Sequence, residues 1–179
     1  MNSKLNKKEI EKFSRQIILK NIGTLGQKKI LDSKILIIGM GGLGCPAADF
    51  LIRSGIGTLG IADHDTVNLS NIHRQSLYME KDLGKSKVKV AKKRLNEINS
   101  KTKINTFNFK LVKKNFEKII KNYDYIIDGT DNFESKFLIN DYCKKYKKNL
   151  VTGAISKFDG HIFTFNFKNK YNPCLRDFY

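Results

Sequence analysis

Three short segments of this chain combine glycines, acids, amides and cations in patterns suited to phosphate chemistry. Gly39-Met40-Gly41-Gly42-Leu43-Gly44 has G-x-G-x-x-G spacing, which lets backbone N–H groups approach a phosphate at the start of a helix. Asp63, about twenty residues on, is placed to accept ribose hydroxyls. Any adenine nucleotide satisfies that pair, and a glycine turn that serves packing alone is the plainer alternative. The run Asp63-His64-Asp65-Thr66-Val67-Asn68-Leu69-Ser70-Asn71-Ile72-His73-Arg74-Gln75, followed by Gly84-Lys85-Ser86-Lys87, adds amides and cations. Hydride transfer has no need of Arg74 or Lys87 beside the cofactor phosphates. Nucleotidyl transfer does, because charge moves onto the departing pyrophosphate as the α-phosphate is attacked. Two solvated cations in a basic chain are the alternative. In Asp128-Gly129-Thr130-Asp131-Asn132, Asp131 can bind Mg²⁺ through its carboxylate oxygens. Asp131 or Asn132 can also cap the following helix, which does not exclude the metal.

For these segments to meet, each must leave the same edge of one sheet. Ile35 to Ile38 form a continuous apolar run before the glycines, and a helical stretch then ends at Gly55. TLGIAD, ending on Asp63, reads as a second buried strand, TKINTFNF as a third, DYIID as a fourth and NLVTGA as a fifth. A polar loop from Thr66 to Lys85 precedes a helix carrying Val88, Ala91, Leu95 and Ile98 on one face. FESKFLINDYCKKYKK has helical spacing, and GHIFTFNF sets His161, Phe163, Phe165 and Phe167 against Ile162, Thr164 and Asn166. Ile10, Phe13, Ile17 and Ile18 predict one N-terminal helix ahead of the sheet. This alternation predicts an α/β, Rossmann-like domain: a mostly parallel sheet with helices on both faces and the three segments converging beyond the strands' C-terminal ends.

Together with Ser14-Arg15-Gln16, the segments SNIHRQ and GTDN and the glycine loop resemble the ThiF/MoeB/HesA family, which is related to the ubiquitin-activating enzymes. The resemblance runs from about Phe13 to Cys174. It implies an ATP-dependent adenylyltransferase that activates the C-terminal glycine carboxylate of a ubiquitin-like sulfur-carrier protein, of the molybdopterin or thiamin biosynthesis type, giving an acyl-adenylate and pyrophosphate. It implies that Gly39, Gly41, Gly42 and Gly44 hold the ATP phosphates, Asp63 the ribose and Asp131 the Mg²⁺, with Asn71, Arg74, Gln75 and Lys87 also binding the nucleotide. Arg15 would enter the partner subunit's site in a homodimer, so Arg15, Arg74, Lys87 and Asp131 are the implied catalytic set. A carboxylate is already ionised at neutral pH, so no general base is required, and His64 and His73 read as loop contacts.

Many family members bind a structural zinc through two CxxC pairs. Here Cys174-Leu175-Arg176-Asp177 has aspartate in place of the second cysteine, so no zinc is expected. Relatives also continue past this point, and residues 1–179 read as a single nucleotide-binding domain lacking the C-terminal part of the family domain. Cys45 and Cys143 read as small core residues. The formal charge of +17 favours an acidic partner, but only five of 34 basic residues are arginine and the lysines are scattered, so nucleic-acid binding is not expected. With no apolar run long enough to span a membrane and no signal-like N-terminus, the chain reads as cytoplasmic. Two further readings compete: a non-catalytic binding subunit of the same fold, and an NAD-dependent oxidoreductase, which shares only the glycine loop and Asp63.

Overall fold

A computed structural model describes residues 5–169 and 171–179; the first four residues of the N-terminal segment read above lie outside it. Six strands form one sheet: β1 (Lys34–Ile38), β2 (Thr58–Ala62), β3 (Lys103–Phe107), β4 (Tyr125–Asp128), β5 (Asn149–Ser156) and β6 (Asp159–Asn166), in the order β3-β2-β1-β4-β5-β6. The first five are parallel, and β6 returns antiparallel to β5. Strand β1 is central, pairing with β2 on one side and β4 on the other, so Ile35, Leu36, Ile37 and Ile38 are all buried. A strand covered on both faces has no polar side to alternate with, hence the continuous apolar run.

The two faces of β1 divide the core. Ile35 and Ile37 pack with Cys45, Ala48 and Ile52 of α4 (Gly44–Ser54) and with Val88, Ala91 and Leu95 of α6 (Lys87–Ile98). Leu36 and Ile38 face Phe116, Ile119 and Ile120 of α7 (Lys113–Ile120) and Ile139 and Cys143 of α8 (Phe133–Lys145). Each fully buried aliphatic or aromatic side chain of this kind contributes about 1.5–3 kcal/mol. Along β6 and the residue after it the expected alternation holds: Phe165 and Phe167 are buried, while Ile162 is 78% exposed.

The N-terminal region departs from the single predicted helix. It is divided into α1 (Lys7–Lys12), α2 (Ser14–Ile17) and α3 (Gly23–Asp32). Phe13 leaves helical geometry at φ −104° and ψ 14°, and its ring turns inward against Gly55, where a Cβ would lie 2.4 Å from it. Ile18, expected on the buried face, is 71% exposed. Within the predicted loop between Thr66 and Lys85 lie α5 (Leu69–Ile72) and a 3-10 turn at Glu80–Asp82. Helices α3 and α7 were not foreseen by the sequence reading. Among the described residues no helix is long and apolar enough to cross a membrane.

Candidate functional site

A cleft of about 530 Å³ opens at the C-terminal ends of the strands, beside β1, where the chain's direction of travel across the sheet reverses. Gly39, Gly41, Asp63, Asn71, Arg74, Gln75, Lys87 and Asp131 all line it, so the three segments converge as expected. Gly42 and Gly44 are not among the lining residues, and neither is Arg15, which sits exposed on α2.

The glycine loop is held in shape from several sides. Gly39 has φ +88°, and a Cβ there would lie 2.8 Å from the Gly129 carbonyl oxygen, so the loop after β1 and the turn after β4 touch through backbone alone. A Cβ on Gly44 would lie 1.9 Å from the Gly39 carbonyl oxygen, which makes this close loop-to-helix approach available only to glycine. The Met40 N–H donates to Asp63 Oδ2 at 2.7 Å, and the Met40 carbonyl accepts from Tyr78 Oη at 2.9 Å and from Cys45 Sγ at 3.4 Å. Burial pushes the Cys45 thiol up to about 11, and it pushes the Tyr78 phenol higher still, so both stay protonated donors at neutral pH. Among the described residues the N–H groups of Gly41, Gly42 and Leu43 meet no acceptor. They stand at the N-terminus of the 11-residue helix α4, where the dipole favours an anion.

Asp63 is the pivot of the cleft. Besides holding Met40 it accepts the Asp65 N–H at 2.8 Å. The Asp65 carboxylate in turn receives Lys87 Nζ at 2.9 Å. Lys87 opens α6, and a bridge between Thr66 and Ser86, flanked by Val67 N–H to Lys85 O at 2.9 Å and Lys87 N–H to Asp65 O at 3.0 Å, holds that helix start against the loop after β2. Arg74 is oriented by Ser70 O at 3.1 Å, Asn71 Oδ1 at 3.0 Å and the His73 ring at 2.9 Å. Gln75 is 3% exposed, and its Oε1 has no hydrogen-bond partner among the described residues. A buried amide oxygen without a donor is costly, although the residue as a whole lines the cleft.

The turn after β4 rests on Asp128, which is 1% exposed. One carboxylate oxygen accepts the Thr130 N–H and hydroxyl at 2.9 and 2.6 Å; the other accepts Lys136 Nζ at 3.1 Å and the Thr152 hydroxyl at 2.6 Å. Lys136 also donates to Gly153 O at 2.6 Å, which ties α8 to β5. Asn132 caps α8 by accepting the Ser135 N–H at 2.9 Å, leaving the Asp131 carboxylate exposed on the cleft rim with Asn132 as its neighbour. Of the two residues that could cap the helix, Asn132 does so. An exposed oxygen ligand at the mouth of a cleft large enough for a nucleotide suits Mg²⁺, which retains water and binds through one or two carboxylates. A closer grouping of potential ligands, Asp63, His64 and Asp65, has its ligand atoms within 4.8 Å of one another, but Asp63 and Asp65 are already engaged by Met40 and Lys87. Outside the cleft lining, Cys174 is buried and Asp177 accepts its N–H at 2.6 Å, so the aspartate closes a short turn there.

A family model described as the ThiF family matches residues 13–179. The chain belongs to the ThiF family. It is 42% identical over 174 residues to the adenylyltransferase and sulfurtransferase MOCS3 of Aedes aegypti, covering 97% of this chain and 39% of that protein. It is 43% identical over 178 residues to a probable molybdopterin-synthase adenylyltransferase of Gracilaria tenuistipitata var. liui, covering 99% of this chain and 50% of that one. The chain thus spans between two-fifths and half the length of these relatives. Among solved structures, that of PaaA superposes with a TM-score of 0.85 at 27% identity, over 99% of this chain and 57% of that one.

Several groups that line this ThiF-family cleft or brace it from behind are not legible in the local sequence pattern. Tyr78 carried no local signal, since its partner Met40 is 38 residues away. Lys136 carried a weak one, a cation in the first turn of a helix where the dipole disfavours it. Phe109, Lys110, Leu111 and Val112 line the cleft after β3 ends at Phe107, two residues short of the strand that TKINTFNF predicts.

Proposed function

We propose that this chain is an ATP-dependent adenylyltransferase that activates the C-terminal glycine carboxylate of a ubiquitin-like sulfur-carrier protein of the molybdopterin or thiamin type. The observation that carries the reading is the meeting of Asp63, Arg74, Lys87 and Asp131 around the glycine loop in one cleft. The relatives' names, adenylyltransferase in both cases, support it.

In this reading Gly41, Gly42 and the start of α4 receive the ATP phosphates, Asp63 accepts the ribose hydroxyls, Asn71, Arg74 and Lys87 contact the phosphates, and Gln75 completes the nucleotide site. A carboxylate oxygen of the carrier attacks the α-phosphorus and forms the acyl-adenylate bond. The bond from the α-phosphorus to its bridging oxygen breaks, and pyrophosphate leaves with the electron pair. Arg74 and Lys87 hold cationic groups where that charge develops, so catalysis comes from positioning and charge stabilisation. Mg²⁺ bound at Asp131 would supply further charge neutralisation on the polyphosphate. An oxidoreductase would leave Arg74 and Lys87 without a task.

The assembly proposed is a homodimer with two ATP sites, each receiving Arg15 from the other subunit, in the cytoplasm. The test is pyrophosphate release on mixing the protein with Mg–ATP and a carrier ending in Gly-Gly. Release that disappears when the carrier's last glycine is removed supports the reading. Folded protein that binds ATP yet releases no pyrophosphate with any such carrier overturns it in favour of a non-catalytic binding subunit.

A further inference from the structure

Lys87 and Asp65 form an unequal pair. The lysine side chain is 4% exposed and the aspartate side chain 51% exposed, with 2.9 Å between Nζ and Oδ2. Lys87 is held at both ends: its backbone N–H donates to Asp65 O at 3.0 Å, and it is the first residue of α6, where the helix dipole disfavours a cation. Among the described residues its ammonium donates to one carboxylate, that of Asp65. A buried ammonium must have a counter-charge, and here the counter-charge is the half that can return to water. Both residues line the cleft.

We propose that Asp65 is a resident counter-ion for Lys87 that an incoming polyphosphate displaces, and that this exchange limits how tightly the cleft holds ATP and the departing pyrophosphate. The proposal rests on the reading of the cleft as a polyphosphate site. Asp65 keeps the buried cation in place and neutralised while the cleft is empty. When phosphate oxygens arrive they compete with Asp65 for the same three N–H donors, and the freed carboxylate is rehydrated. When pyrophosphate leaves, Asp65 returns and compensates the vacated charge, which speeds departure. Asp65 acts through Lys87 and is a positioning residue. His64, whose Nε2 lies 3.6 Å from Asp65 Oδ1, is a second neighbour available to the displaced carboxylate.

The test is calorimetric binding of inorganic pyrophosphate and of Mg–ATP to the full chain and to its Asp65→Asn, Asp65→Glu, Lys87→Met and Asp65→Asn/Lys87→Met variants, with thermal melts of each. Asp65→Asn is expected to bind pyrophosphate about threefold to tenfold tighter, as loss of a competing ion pair of this exposure allows. Its KM for ATP should fall together with kcat, and Asp65→Glu should restore wild-type binding. The gain should vanish in the double variant, which should match Lys87→Met alone. A folded Asp65→Asn that binds pyrophosphate no tighter than wild type, or a gain that survives in the double variant, overturns the proposal. If the wild type binds neither ATP nor pyrophosphate, the polyphosphate reading fails first and this inference falls with it.

Discussion

The Asp63 carboxylate accepts the Met40 N–H at 2.7 Å, so the acid that follows β2 holds the glycine loop that follows β1. Its other oxygen holds the Asp65 N–H at 2.8 Å, so one side chain organises both the loop that receives phosphates and the segment that supplies Lys87. Asp63→Ala should therefore lose stability and nucleotide affinity together. We expect a destabilisation of about 2 kcal/mol, from two charge-assisted hydrogen bonds in a partly exposed setting, and at least a roughly tenfold weaker ATP affinity. Urea denaturation and calorimetric titration measure the two quantities. Wild-type affinity in a folded Asp63→Ala would remove Asp63 from the ribose and loop roles.

The two glycines at the loop's end should respond in opposite ways. Gly44→Ala would put a methyl group 1.9 Å from Gly39 O, and the backbone must move; we expect a loss of about 3 kcal/mol or more, or failure to fold. Gly42→Ala meets only the Arg74 side chain, its nearest atom Cδ at 3.5 Å, an ordinary contact, and should fold with close to wild-type stability. Any defect of folded Gly42→Ala should then appear in ATP binding, since the methyl group would pack against Arg74, which the proposed reading sets beside the polyphosphate. Thermal melts and ATP titration of the pair separate the packing role from the binding role.

This contrast shows what was legible in the sequence. The glycine spacing, the apolar run Ile35–Ile38 and the position of Asp63 obey local rules, and β1, α4, β2 and the cleft follow from them. The N-terminal helix was misread because Ile10, Phe13, Ile17 and Ile18 have helical spacing, yet only Phe13 is buried, drawn in by Gly55 on another element. Helix α7 has Phe116, Ile119 and Ile120 on one face, but eight residues among lysines give too short a pattern to stand out. The Asp65–Lys87 pair, 22 residues apart, and the Asp128–Lys136–Thr152 network exist only once strands and helices have docked, so no local pattern announces them.

The turn that leads into Lys87 should be acid-sensitive. Asp82 lies below its ordinary value of 3.8: burial pushes it up, but the Met79 N–H, Lys85 and Arg94 outweigh that. A carboxyl whose pKa is lower folded than unfolded contributes stability above its unfolded value and loses it as pH falls through the folded one. Asp82→Asn should thus melt about 2–4 °C below wild type at pH 7. The gap should persist to about pH 5 and close progressively below pH 4 as the wild-type carboxyl is protonated. Melts of both proteins across that range check the sign; a gap that widens in acid would contradict it.

If this cleft transfers an adenylyl group to a carboxylate, labelled pyrophosphate should exchange into ATP. Exchange should require Mg²⁺ and a carrier ending in Gly-Gly, fall at least about a hundredfold in Asp131→Ala, and fall comparably in Lys87→Met, as loss of charge stabilisation implies. Exchange that proceeds without any carrier, or that is unchanged in a folded Asp131→Ala, would contradict it.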